Sequence, residues 1–564
     1  MRLYVTSVLA IAFATACLAQ EPGIEALPTS CTDGAFGTAT PESFATLTTS
    51  DVDAIVKAAA SALNVDTATI AVVDRAGRVL ALFRQPHADA ANDDRAVGVA
   101  RTAAFFSHNM APLSSRTVRF ISGVHFPPGV INAPNAALYG IENTNRGCDL
   151  HITFNATKDV PPARSTNGNP CNAFDPSGCG SGIVTGKQLP DDGPYPQSVG
   201  NRSVNAGGIP LYRILDATRA NDGVIKDGKV VGGIGVVGID GDQRAEYAAV
   251  TGAFGALGSA ADPIAPVPQY PLPFPGNVFI DGIRLPFLGA EQRLRFNNDG
   301  LPIGLEPFDG ASAGNTNGAY VIAATPGGCA DNGYLAGPTA GSLLSQSSVD
   351  AVVQRAIAAA KKTRATIRLP LNSYARMVIA VADVDGTILA LYRMPDATVF
   401  SIDVAVAKAR NVIWFSSGHD LSGVGAATAV TNRTIGFGAQ PLYPPGIDSK
   451  VFGAAPGPFY SLFLHDLATP CSQGSQPPNA NQNGIVFFAG ATPLFANGKL
   501  IGGLGVSGDG VEQDDYVTYL GAGNLLPPTK TWADQLKVNG ARLPMFKFPR
   551  SPEGVTECAG KPCS

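Results

Sequence analysis

The chain has 564 residues, 45% of them hydrophobic and 15% charged, with a formal net charge of −5 at pH 7. That hydrophobic share is near the globular average and supplies buried cores, while a sparsely charged, mildly acidic chain lacks the basic field that holds a nucleic acid. The 64 Gly and 44 Pro place much of the length in turns and irregular connections.

Met1 to Ala19 reads as a secretory signal, with Arg2 at its start, a mostly apolar run from Val5 to Phe13, and small residues before Gln20. The run is too short to span a bilayer, which takes about 20 residues, and no other segment reads as transmembrane. The expected location is secreted or periplasmic; Cys17 offers a lipid anchor as the weaker alternative, because the usual Leu three residues earlier is missing. Beyond Cys17 stand eight cysteines: Cys31, Cys148, Cys171, Cys179, Cys329, Cys471, Cys558 and Cys563. An even number in an exported chain favours disulfides between loops over a metal cluster, with the pairing open.

The next predicted element is an amphipathic helix, capped by Ser50, with Val52, Ile55, Val56 and Ala59 on one face. Two strands follow, Thr69 to Val73 and Val79 to Phe83, joined by the turn Asp74-Arg75-Ala76-Gly77. A helix then runs from Asp94 to Ser107, and another starts near Pro112. After a long stretch rich in Pro, Gly and Asn come a second hairpin, Gly208 to Leu215 and Val230 to Val237, and a helix around Gln243 to Phe254.

The series then repeats. Arg84 and Arg393 are 309 residues apart, as are Arg101 and Arg410, and the segments around each pair match. Ser347 or Ser348 caps the second opening helix, and Asp383-Val384-Asp385-Gly386 forms the second turn. The series closes with Ile485 to Phe495, Leu500 to Ser507 and Glu512 to Leu520. Such a repeat means one fold used twice. The expected layout is a signal at 1–19, a domain at 45–289 with an insert at 140–206, and a linker at 290–341. A second domain then spans 342–548 with an insert at 448–483, followed by a Cys-containing tail at 549–564. Helix, hairpin, helices, hairpin, helix predicts an α+β fold: in each copy an antiparallel sheet with helices packed on one face.

Several patterns carry candidate chemistry. Gly233 to Gly238 and Gly503 to Gly508 satisfy G-x-G-x-x-G, but inside a strand and outside a βαβ unit, where bare backbone serves close packing better than a dinucleotide. The turns Gly238 to Asp242 and Gly508 to Glu512 each precede a helix, whose start either holds an anion or is already capped by its own acids. Arg84, Arg393, Arg101 and Arg410 persist in both copies; they read either as clamps for a carboxylate ligand or as structural partners of Asp74, Asp94, Asp383 and Asp403. Zincin, nucleophile-elbow and phosphate-loop motifs are missing, so no catalytic residue is assigned. Asn155, Asn201 and Asn432 begin glycosylation sequons.

The second copy resembles the GlcG/HbpS family. The carrying residues are Val381-Ala382-Asp383 with Gly386, Arg393-Met394, Ser401 to Arg410, and Gly502 to Gly508 followed by Glu512-Gln513-Asp514. The first copy matches less well: Val99 stands for the Lys of the helix and Val237 for the Ser of the Gly-rich strand. The resemblance implies two tandem profilin-like α+β domains, forming a homo-oligomer or an internal pseudo-dimer, and non-covalent haem as a cofactor. On it, the candidate cofactor-binding residues are Arg84, Arg101, Thr102, His108, His125, Arg393, Arg410 and His419, with Asn411 replacing Thr102 in the second copy. Phe105, Phe106, Phe120, Trp414 and Phe415 read either as walls for a porphyrin or as core. The expected function is an exported protein binding haem or a similar planar, carboxylate-bearing small molecule. The alternatives are a structural module or an enzyme of unknown substrate.

Overall fold

The computed structural model describes residues 39–41, 46–122, 138–145, 204–216, 226–255, 264–268, 279–280, 283–285, 294–296, 302–305, 308, 314–322, 331–368, 372–444, 455–469, 471–479, 481–553, 555, 557–558 and 561–562. The signal segment, most of the first insert, His125, His151 and the cysteines at 31, 148, 171, 179, 329 and 563 lie outside them. Cys471 is disulfide-bonded.

The first copy consists of α1 (Thr49–Ala60), β1 (Thr69–Asp74), β2 (Val79–Arg84), α2 (Asn92–Phe106), α3 (Ser115–Ser122), β3 (Gly208–Asp216), β4 (Lys226–Val237) and α4 (Asp242–Phe254). Between the copies lie β5 (Ala319–Ile322) and β6 (Asp331–Ala336). The second copy consists of α5 (Gln346–Lys362), β7 (Val378–Ala382), β8 (Ile388–Arg393), α6 (Ser401–Ser416), α7 (Asn432–Gly438), α8 (Tyr460–Ala468), β9 (Ala491–Ala496), β10 (Lys499–Ser507) and α9 (Val511–Ala522).

Both copies build the same antiparallel sheet. The first runs β5-β2-β1-β4-β3 and ends on the short strand Ile264–Ala265; the second runs from the short strand Ala39–Pro41 through β6-β8-β7-β10-β9. The registers coincide: Ala71 lies opposite Leu82 and Gly235, and Ala380 opposite Leu391 and Gly505. The segment between the copies is therefore more than a tether, since it supplies β5 to one sheet and β6 to the other.

Helices cover both faces of each sheet, not one face as the element order suggested. Ile70 and Val72 pack with Val52, Ile55 and Tyr247 of α1 and α4, whereas Ala71 and Val73 pack with Ala96 and Ala100 of α2. Every residue of β1 and β7 is buried. A strand covered on both sides needs a continuous apolar run rather than alternation, and fully burying each Val or Ile there contributes about 1.5–3 kcal/mol.

The Gly-rich strand makes this layering fit. A Cβ on Gly235 would come within 2.0 Å of Ala96 O, and one on Gly505 within 2.1 Å of Ala405 O. The glycines let α2 and α6 lie directly on the sheet. Both G-x-G-x-x-G runs sit in antiparallel strands, the geometry of helix packing and not of a dinucleotide turn.

Some local boundaries differ from expectation. The first cap is Thr48, whose side chain accepts from Asp51 N while Asp51 reaches back in a capping box, so the helix starts before Ser50. Ser345 caps α5 by accepting from Ser348 N. Residues 485–489 are buried without being strand, and β9 begins at Ala491. Asn432 is buried and donates to Asn411 and Val486 O, which removes its sequon from solvent.

Beside one apolar cluster largely within each copy, the two share a third. One apolar cluster takes in Ala100, Phe105 and Phe106 of the first copy and Phe400, Val404 and Phe488 of the second. Phe106 and Phe400 stack at 4.0 Å between ring centres, Val399 N donates to Phe105 O at 3.0 Å, and Asn145 N donates to Asp403 at 2.9 Å. The end of α2 carries two adjacent Phe residues: Phe105 packs on the first copy's turn at Gly77, and Phe106 stacks on Phe400 of the second.

Candidate ligand site

The repeated arginines hold the fold. Arg101 Nε donates to Gly77 O at 2.7 Å, and Arg410 Nε donates to Gly386 O at 2.9 Å. Both side chains are buried, and each ties its helix to the turn of the first hairpin. Arg410 also donates to Asn483 at 3.0 Å. Arg84 pairs with Asp93, and Arg393 donates twice to Ala397 O. Thr102 Oγ1 donates back within α2 to Gly98 O at 3.0 Å, while Asn411 donates to Gln473 and Gly484 O. The four arginines are thus each engaged in the fold, and none of them lines the cavities described below.

The histidines behave similarly. His108 is fully buried; one ring nitrogen lies 2.9 Å from Ile367 O and the other accepts from Met110 N at 3.2 Å. Burial, with help from the Arg368 cation, holds its pKa well below the ordinary histidine value, so it is a neutral staple between the copies. His419 is exposed and stacks on Trp414 at 4.1 Å. His125 lies outside the described residues.

A cavity opens instead where the copies meet. Phe106, Leu113, Ile121 and Ile141 wall it from the first copy, and Phe400, Phe488, Gly510 and Asp514 from the second. Its water-sized free space is about 30 Å³, room for about two waters.

Behind its wall lies a pair that was not among the expected site residues. Lys408 Nζ of α6 donates to Asp514 Oδ2 of α9 and to Val506 O, each at 2.9 Å, and lies 4.8 Å from the Phe488 ring centre. Both side chains are buried. Burial pushes the Lys408 amine down and the Asp514 carboxyl up to about 7. Asp514 Oδ1 is buried and has no hydrogen-bond partner among the described residues.

The first copy lacks this pair in both members. Val99 occupies the position of Lys408. Gly207 and Gly490 fix the other correspondence: the N–H of Val236 donates to Gly207 O and that of Val506 to Gly490 O. A Cβ on Gly207 would meet Ala245, and one on Gly490 would meet Asp514. Ala245 therefore replaces Asp514. The next residues agree, since Glu246 pairs with Arg116 and Asp515 with Arg433. The signal for the pair was a joint loss, Val99 with Ala245, visible only once α4 and α9 are in register.

A larger, more open cleft lies against the other side of α9, lined by Tyr519, Trp532, Asp534, Arg542, Met545 and Phe546. Its rings pack on one another and its Arg542–Asp534 pair is largely exposed on the arginine side, so the junction cavity, with its buried polar wall, is the candidate site.

A family model described as haem degrading protein HbpS-like matches residues 47–151 and 344–522, together half of the chain. The chain belongs to the HbpS-like family. The HbpS-like match ends early in the first copy and runs through Lys408 and Asp514 in the second. Among curated relatives, an uncharacterized 15.0 kDa protein from the dhaT-dhaS intergenic region of Citrobacter freundii is 31% identical over 160 residues, covering 28% of this chain and 82% of that protein. The corrinoid adenosyltransferase PduO of Salmonella typhimurium is 30% identical over 152 residues, covering 27% of this chain. This chain spans 33% of that adenosyltransferase's length. Two solved structures are similar: a PduOC:heme complex at 24% identity and TM-score 0.20, covering 31% of this chain and 88% of that one, and the Klebsiella pneumoniae protein ORFY at 22% and 0.19, covering 30% and 86%.

Haem held without covalent attachment needs an axial ligand. Among the described residues His108 is engaged on both nitrogens, His87 pairs with Asp66, His465 bonds Thr469 and Ser472, and His419 lies outside the cavity. The described histidines therefore do not fit an iron-ligated haem in this HbpS-like junction cavity.

Proposed function

We propose that this HbpS-like chain binds one small molecule with an apolar body and a polar head in the junction cavity, with the polar head met by the second copy. The observation that carries the reading is the Lys408–Asp514 pair, buried at the cavity wall and replaced by Val99 and Ala245 in the first copy. A buried ion pair is costly to keep against an apolar pair of similar shape, so its retention in one copy supports a working role there. The first copy supplies the facing wall. We further propose export, on the strength of the Met1 to Ala19 segment.

Haem is the specific ligand that the family's description favours. Two features limit how it would be held. The free space holds about two waters, so a tetrapyrrole requires the Phe106–Phe400 stack to part. No described histidine lines the cavity, so the described walls would hold it through its apolar faces. The test is a titration of the full chain with hemin and with metal-free protoporphyrin. A saturable absorbance change with both, at comparable affinity, is expected. No saturable change with either removes the haem reading.

A further inference from the structure

We infer that the ligand head meeting Asp514 is a hydrogen-bond donor, such as a hydroxyl, amine or N–H group, and not a carboxylate; this rests on the cavity reading above. The three N–H donors of Lys408 are committed. Two reach Asp514 Oδ2 and Val506 O, and the remaining positive edge faces the Phe488 ring. Among the described residues the cation behind this wall, Lys408, is thus neutralised by protein groups and offers an arriving carboxylate no free charge. What the pair leaves over is an acceptor: Asp514 is among the residues lining the cavity, and its Oδ1 is buried with no hydrogen-bond partner among the described residues. A buried acceptor left unmade is expensive, so a group that donates to it is selected strongly over one that cannot.

The start of α9 argues the other way only weakly. Gly508, Gly510 and Val511 line the same end of the cavity, and helix amides favour an anion. That end already carries Asp514 itself, with Asp509 and Asp515 buried close in sequence and Arg368 and Arg433 committed to them. A second carboxylate beside Asp514 would face a like charge at close range, and one of the two would have to take up a proton. Haem propionates, on this reading, stay at the mouth. Burial raises the Asp514 carboxyl, so the acceptor is fully ionised only in mildly alkaline solution.

The experiment is a fluorescence titration of the full chain at about pH 8 with aminoanthracene and with anthracenecarboxylate, which share one planar body, need the same parting of the Phe106–Phe400 stack, and differ in the head. The amine is expected to bind about tenfold tighter than the carboxylate. In a chain carrying Lys408→Val and Asp514→Ala that preference is expected to vanish. Equal or tighter binding of the carboxylate by the wild-type chain overturns the head-group inference while leaving the cavity reading intact. Binding of neither probe overturns both. The wild-type comparison stands without the variant, so a folding defect in the variant does not protect the inference.

Discussion

Lys408 and Asp514 stand 2.9 Å apart, both buried, at the wall between two copies of one fold, and the first copy holds Val99 and Ala245 in their places. The exchange is complete in both members, as physical chemistry requires. Removing one charge strands the other without solvent, whereas removing both leaves an apolar contact.

The single substitutions Lys408→Val and Asp514→Ala should each destabilise the chain by about 3–5 kcal/mol, and the double substitution by clearly less than their sum. Urea and thermal unfolding of the four proteins measure this. Additive losses would show that the two groups are not coupled.

The arginine staples should separate stability from binding. Arg101→Met and Arg410→Met each remove a buried charged donor from a hairpin turn and should cost about 2 kcal/mol. Aminoanthracene affinity should stay close to that of the unaltered chain. A large loss of affinity with unchanged stability would return these arginines to the ligand site.

That outcome bears on what could be read from the chain. The duplication, both hairpins and the role of the Gly-rich strand were legible, because local spacing and side-chain size determine them. Covering of both sheet faces was also legible, in the unbroken Ala71-Val72-Val73 run, but the element order pointed to one face. The junction was not. Phe106 with Phe400 and His108 with Ile367 are joined across more than two hundred residues, and no periodicity records such contacts. The arginines were conspicuous for persisting in both copies, yet Arg101 and Arg410 each bond a turn that both copies must close. The informative position was one that differed, Val99 against Lys408.

Acid should weaken the chain through His108. Its native pKa lies well below its unfolded value, so the folded state binds fewer protons once the pH falls below about 6.5. The stability it contributes is present above that pH and is lost on acidification, at about 1.4 kcal/mol per pH unit, until the native value is reached. Asp396, held low chiefly by the Arg368 cation against its own burial, adds a loss of the same sign at lower pH. His108→Gln, which can still donate to Ile367 O, should flatten the dependence between about pH 6.5 and 5. An unchanged slope would show that His108 is not the group responsible.

Phe400→Ala should cost about 3–5 kcal/mol, since it removes the ring stacked on Phe106 and leaves a void in the shared interior. Hydrogen exchange should quicken in α2 as well as in α6. Exchange that quickens in the second copy alone would mean the two interiors are energetically separate.

The most direct test of the account counts sites. Calorimetric titration of the full chain with aminoanthracene should saturate at one equivalent per chain, and the Lys408→Val, Asp514→Ala double variant, shown to be folded by circular dichroism, should bind at least about tenfold more weakly. Two equivalents per chain, or unchanged binding by the folded double variant, would contradict a single working site in the second copy.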